Sequence, residues 1–175
     1  MSEDDAPAEV MWEGKYIRAL RRGRWEYVSR VGDVRAVVVL AEYEGQTILI
    51  EQPRVAVGGR CLELPAGLVG DEDPGATVEE TAVKELEEET GFTAERIERL
   101  GEFYSSPGMV SESFTLVRAH GLTRIGEGGG LAGHEDIAVQ LVEREEIAAF
   151  IEERRAEGIG IDVRLLLLLG GALLG

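Results

Sequence analysis

The sequence predicts an α/β fold, a sandwich of mixed strands with two or three helices and a small β segment at the N-terminus. Three observations predict it. Runs rich in β-branched residues recur at 35–43, 46–52 and 113–119, with turn residues between them. A bounded amphipathic helix is written between Thr77 and Gly91, and a second helical pattern follows at 144–156. At 175 residues and 44% hydrophobic, the chain is long enough for one domain with a sizeable core and a small appendage. We place the division at residues 1–33, the β segment, and 34–175, the main domain.

Taken in order, residues 1–9 carry neither a basic nor an apolar block, so they read as a frayed tail and not as a signal peptide. Residues 11–18 and 25–30 alternate and are aromatic, and Arg21-Arg22-Gly23-Arg24 between them reads as the turn of a hairpin. Such a hairpin is not stable alone, and its Trp12, Tyr16, Trp25 and Tyr27 need a cover. Residues 35–43 and 46–52 read as a second hairpin turning at Glu44-Gly45, ended by Pro53. Residues 60–65, 99–104, 113–119 and 137–142 are further strands. The C-terminal Leu165–Leu169 run is far shorter than the ~20 residues of a membrane span and reads as a buried helix.

Charge and cysteine content narrow the function. A formal net charge of −16 without a basic block argues against nucleic-acid or membrane-surface binding, so an anionic ligand must be met locally. The single cysteine, Cys61, excludes an internal disulfide and fits a reducing cytoplasm.

The helix after Thr77 carries the chemistry. Thr77 and Glu80 form a capping box, and Gly91 is the left-handed residue that ends the helix. Glu85, Glu88 and Glu89 stand at i, i+3 and i+4 and so share a face, beside a stripe of Ala82, Val83 and Leu86 that would bury. Stacked like charges each cost a helix about 0.2–0.5 kcal/mol, and a divalent cation would remove that cost. Carboxylate oxygens select Mg²⁺, with Mn²⁺ as an alternative, and Mg²⁺ suggests phosphate. By itself, Glu87-Glu88-Glu89 also reads as an ordinary solvated acidic face.

Gly67, the acidic stretch Asp71-Glu72-Asp73 and Lys84-Glu85-Leu86-Glu87-Glu88-Glu89-Thr90-Gly91-Phe92 together resemble the signature of the Nudix hydrolases. Two departures stand out: Lys84 replaces the family's Arg, and more residues separate Gly67 from it, in the loop 70–76. Lys lacks the bidentate fork of Arg. Among Nudix proteins the ADP-ribose pyrophosphatase branch is the nearest resemblance. It rests on Trp25-Glu26-Tyr27-Val28, on Glu51-Gln52-Pro53-Arg54 followed by residues 62–67, on Ser106-Pro107-Gly108, and on Gly133-His134-Glu135-Asp136-Ile137.

That resemblance implies a Nudix-type α/β/α sandwich and Mg²⁺-dependent hydrolysis of the diphosphate in ADP-ribose or a related nucleoside diphosphate sugar, giving AMP and ribose 5-phosphate. It implies metal binding by Glu85, Glu88, Glu89 and the Ala66 carbonyl, completed by Glu135. Substrate contacts would come from Trp25, Arg54, Arg60, Pro107, Met109 and Glu112. Trp25 reads equally as interface packing, Arg54 and Arg60 equally as surface arginines, and His134 as a loop residue. For the general base, Glu135 ranks first, with Glu112, Glu127 and Asp136 also in reach. Residues 126–133, rich in glycine, are expected to move and to close Glu135 over substrate. Alternatives are another nucleoside diphosphate sugar such as GDP-mannose, or a non-catalytic nucleotide-sensing domain that Lys84 would permit. The resemblance also implies a homodimer in which the uncovered aromatic hairpin serves the partner's site.

Overall fold

A computed structural model describes residues 6–32, 34–71, 73–131 and 135–170. Its N-terminal segment is a sheet of three strands and not a two-stranded hairpin: β1 (Glu9–Glu13), β2 (Ile17–Arg22) and β3 (Trp25–Arg30), in that order and antiparallel. The expected strand 11–18 breaks because the Gly14 N–H bonds to the Ile17 carbonyl and reverses the chain.

The main body holds two mixed sheets. One contains β4 (Arg35–Leu40), β8 (Ala66–Val69), β9 (Phe92–Tyr104) and β10 (Ser113–Arg124), in the order β8-β4-β10-β9. The other contains β5 (Glu42–Tyr43), β6 (Gln46–Arg54), β7 (Gly59–Glu63), β11 (Ala138–Glu143) and β12 (Gly160–Ile161), in the order β11-β6-β7-β12, with β5 against the start of β6. The expected hairpin of 35–43 with 46–52 is therefore only the short β5–β6 pair. β4 leaves for the other sheet, where it runs parallel to β10.

That crossing lets β4 and β6 serve two cores at once. Val37, Val39 and Ile48 pack with Ala82 and Leu86 of helix α1 (Val78–Thr90), while Val38, Leu40 and Leu49 pack with Ile147 and Ile151 of helix α2 (Ile147–Ala156). Alternate residues of each strand point to opposite faces, so both faces are apolar and the runs read as continuous hydrophobic stretches. The result is an α/β sandwich with α1 and α2 serving separate cores. The expected C-terminal helix is one turn, α3 (Leu166–Leu169), in which Leu166 is exposed; the fully buried anchor is Leu165 before it.

α1 begins as its sequence dictates. The Glu80 N–H donates to the Thr77 hydroxyl at 3.2 Å, the Thr77 N–H donates to the Glu80 carboxylate at 2.9 Å, and Gly91 ends the helix at φ 74°. Its buried stripe differs from the expected one. Val83 is partly exposed, and the line of burial runs Ala82, Leu86, Glu89 at i, i+4 and i+7. A carboxylate thus occupies the third position of a core stripe.

Candidate active site

One cleft of about 720 Å³ lies along the carboxylate face of α1. Its walls include Glu85, Glu88 and Glu89 from the helix, Ala66 and Gly67 from the start of β8, Gln52 and Arg54 from the end of β6, and Glu135 from the loop before β11. α1, the end of β6 and the loop before β11 therefore bring these carboxylates and the Arg54 guanidinium to a single cavity, which Asp71, Asp73, Glu80 and Lys84 also line.

Glu89 is the most constrained of them. It is 5% exposed, and its carboxylate accepts the Ala66 N–H at 2.9 Å. Burial pushes its carboxyl up to about 8; the Ala66 N–H opposes the rise, Glu85 and Glu135 add to it, and Arg54 opposes it. A buried carboxylate flanked by two others holds its charge only when a cation is supplied.

Glu85 is fitted to the chain opposite. A Cβ placed on Gly67 would stand 2.1 Å from the Glu85 carboxyl carbon, so only glycine lets that carboxylate lie against β8. The atoms in the way are the end of a flexible side chain, which moves more cheaply than backbone. Gly67→Ala is therefore expected to leave Tm within a few degrees of wild type while displacing Glu85 from the cleft. Titration of Mg²⁺ against the variant checks this, and wild-type affinity would show that Glu85 has no part in holding metal.

Glu88 is half-buried and lies 3.9 Å from Lys84, an i,i+4 ion pair along the helix. Glu135 is exposed, and its carboxylate accepts the Leu131 N–H at 2.9 Å. Among the described residues, no three carboxylate, imidazole or thiol side chains already converge as a metal cage. Glu88 is turned to Lys84 and Glu89 to the Ala66 N–H. The donors are all oxygen, which suits Mg²⁺ or Mn²⁺ and not zinc.

Within the glycine-rich stretch before Glu135, residues 125–130 are hydrogen-bonded to the end of α1. The Gly129 and Gly130 N–H groups donate to the Glu89 and Glu88 carbonyls, both at 2.9 Å, and the Ile125 and Gly126 N–H groups donate to Gly91. They cap the carbonyls that the end of α1 leaves unpaired. A Cβ on Gly128 would lie 2.4 Å from the Thr90 carbonyl carbon, so glycine is what lets this strap close on the helix. The same strap ties the loop of Glu135 to the residues that carry Glu88 and Glu89.

The remaining sequence candidates lie elsewhere. Arg60 does not line the cleft: Glu51 holds it at 2.6 Å and Asp136 at 2.7 Å, both raising its pKa. Asp136 is thereby turned to Arg60, and Glu127 lies 3.1 Å from Arg124. Trp25, on β3, is half exposed with the Arg24 guanidinium 5.2 Å from its ring centre. Pro107 and Met109 form a turn that docks on the N-terminal sheet: the Val28 N–H donates to the Met109 carbonyl at 2.9 Å, and Glu112 pairs with Arg30. These residues mark a second region, next to the N-terminal sheet. Gly133 and His134 lie outside the described residues. Gln52 and Leu131 line the cleft unforeseen, Gln52 being signalled only by its place two residues before Arg54 on one face of β6.

The NUDIX domain family model matches residues 32–159. The chain belongs to the Nudix hydrolase family. It is 36% identical over 120 residues to the ADP-ribose pyrophosphatase of Bacillus subtilis (strain 168), an alignment covering 68% of this chain and 63% of that protein, just under two thirds of its length. It is 39% identical over 133 residues to the methanol dehydrogenase activator of Bacillus methanolicus, covering 74% of this chain and 68% of that protein. It is 32% identical over 146 residues to the GDP-mannose pyrophosphatase of Cronobacter sakazakii (strain ATCC BAA-894), covering 79% and 72%. A crystal structure of an ADP compounds hydrolase shares the fold at a TM-score of 0.70 and 23% identity, over 97% of this chain and 92% of that one. The Nudix match begins at residue 32, after β3, so the N-terminal sheet is an addition to the matched domain.

Proposed function

We propose that this Nudix hydrolase cleaves the diphosphate of ADP-ribose or a closely related nucleoside diphosphate sugar, giving AMP and ribose 5-phosphate. The observation that carries this is the shared cleft, in which Glu85, Glu88, Glu89, Glu135 and Arg54 all line one cavity wide enough for a diphosphate. Mg²⁺, with Mn²⁺ as the alternative, would be held by Glu85, Glu88, Glu89 and the Ala66 carbonyl, with Glu135 contributing from its loop. When bound it would offset phosphate charge and make water more acidic.

The chain's own groups account for the rest. Arg54 binds a phosphate oxygen at the cleft wall. Glu135 takes the proton of the attacking water, whose oxygen adds to phosphorus as the bond to the bridging oxygen breaks. Trp25, Pro107, Met109 and Glu112, on or beside the N-terminal sheet, would receive the nucleoside, Trp25 by stacking on the base. Arg60, engaged by two carboxylates, would contribute by holding Asp136 and Glu51 in place. A reduced cytoplasm suits the buried Cys61, whose thiol burial pushes up to about 11.

GDP-mannose is the second reading, supported by the similarity to the Cronobacter GDP-mannose pyrophosphatase and by a metal helix that recognises no base. Release of phosphatase-sensitive phosphate with Mg²⁺, across ADP-ribose, GDP-mannose and other nucleotide sugars, separates the two. Turnover of none of them would end both readings.

We also propose a homodimer. On the N-terminal sheet Val10 and Trp25 are exposed on one face and Trp12 and Ile17 on the other, so each face offers apolar surface of the kind that marks an interaction site. Removing residues 1–32 is expected to yield monomers and raise KM several-fold. Sedimentation showing the full chain monomeric at micromolar concentration would refute it.

A further inference from the structure

Behind the cleft wall lies a buried charge network that the proposed chemistry has not used. Glu63, at the end of β7, is 2% exposed and takes both Nε and Nη2 of Arg54, each at 2.7 Å. On its other side stands Arg164, 3.6 Å away, itself forked onto Asp162 at 2.7 and 2.6 Å. Asp162 follows β12 and donates its N–H to the Leu62 carbonyl at 3.0 Å. One buried carboxylate thus sits between two guanidinium groups, one built into the C-terminal segment and one lining the cleft.

Position explains the arrangement better than stability does. Buried ion pairs are often no more stable than apolar residues of the same volume, because both charges must leave water. The geometry, however, is specific. Arg54 pairs across the sheet with Gly59, whereas Glu63 pairs with Ile50, so Arg54 must lie back along β6 to reach Glu63. That posture leaves Nη1 outside the fork with Glu63, and it keeps the cation close enough to Glu89 to be felt there. Released from Glu63, a half-exposed arginine would regain its many rotamers in solvent.

We propose that Glu63 is a positioning residue for Arg54: backed by Asp162 and Arg164, it holds the guanidinium preorganised in the cleft to receive a diphosphate. The inference rests on reading this cleft as a diphosphate site. It makes Glu63 act on binding through Arg54 alone, with no contact to the ligand.

The test uses the full chain in Mg²⁺, with Glu63→Gln, Arg54→Lys and the double variant. Calorimetric titration with α,β-methylene-ADP, a diphosphate that cannot be cleaved between its phosphorus atoms, is read beside KM and kcat for ADP-ribose. Glu63→Gln is expected to weaken the analogue about tenfold and raise KM similarly, with kcat within about threefold. Arg54→Lys keeps the charge but not the fork, and is expected to do the same. The double variant should be no weaker than the worse single one, because both remove one interaction. Wild-type affinity in Glu63→Gln, or losses that multiply in the double variant, would overturn the proposal. A fall in Tm with affinity unchanged would overturn it equally, by leaving Glu63 a purely structural role. Should Glu63→Gln fail to fold, Arg54→Lys decides, and binding within about twofold of wild type refutes the held fork. A wild-type chain that binds the analogue but cleaves no ADP-ribose refutes the substrate and leaves this inference standing; one that binds no diphosphate refutes both.

Discussion

Glu89→Gln is expected to lower kcat at saturating Mg²⁺ by about 10²-fold or more, since metal-based charge stabilisation is worth several kcal/mol in such reactions. The fold should survive, because the glutamine amide oxygen still accepts the Ala66 N–H that Glu89 accepts at 2.9 Å. Stability should even improve without metal at high pH. The Glu89 carboxyl is pushed by burial from an ordinary 4.5 up to about 8, so the folded chain holds a proton that the unfolded chain has released across that window. Its contribution to stability is complete below 4.5 and is lost as pH rises through about 8. Metal-free wild type should therefore lose Tm on going from acid to pH 8 in a way that Glu89→Gln does not. Mg²⁺ should raise the Tm of wild type most at the alkaline end, where the carboxylate is charged, and should hardly raise that of the variant. Thermal melts across pH with and without Mg²⁺ check this, and a variant with wild-type kcat would remove Glu89 from the metal site.

What the sequence conveyed follows from how local each feature is. The start and end of α1 were legible because Thr77, Glu80 and Gly91 act within one turn of themselves. The shared face of Glu85, Glu88 and Glu89 was legible for the same reason. Which of the three is buried was not read, although the line Ala82, Leu86, Glu89 was there to be drawn. Val83 broke the expected stripe because β9 leaves that side of the helix open as a groove lined by Ala94 and Ile97.

Long-range partnership was hidden. β4 pairs with β10 in parallel, and nothing within residues 35–52 distinguishes that from a hairpin with β6. The first half of β9 does not read as a strand because Glu95 and Arg96 are exposed in succession, so the burial of Phe92, Ala94 and Ile97 does not alternate cleanly. β12 is two residues long and exists through its pairing with Cys61 and Leu62. Residues 126–133 read as a mobile run; that the Gly126, Gly129 and Gly130 N–H groups bond to the end of α1, an approach that Gly91 and Gly128 permit by lacking side chains, is a long-range pairing that composition does not disclose.

That strap sharpens the second large effect, at Glu135. Among the four acids considered as general base, Glu135 lines the cleft, while Asp136 faces Arg60, Glu127 faces Arg124 and Glu112 faces Arg30. Gly129 and Gly130 hang from the Glu89 and Glu88 carbonyls, and the Glu135 N–H donates to the Leu131 carbonyl, so Glu135 is registered against α1. As the proposed base, Glu135 would need little rearrangement to meet the attacking water, and general-base catalysis contributes about 10²–10⁴-fold. Glu135→Gln is expected to lower kcat by about 10²-fold or more with KM changed far less, because Arg54 and the helix carboxylates still bind the ground state. The amide still accepts the Leu131 N–H, so the loop keeps its shape and only the proton acceptor is lost. Kinetics of Glu135→Gln beside Glu112→Gln, Glu127→Gln and Asp136→Asn decide the matter. A solvated loop carboxylate would change kcat by no more than about twofold, and a larger loss at one of the other three would move the role to that residue.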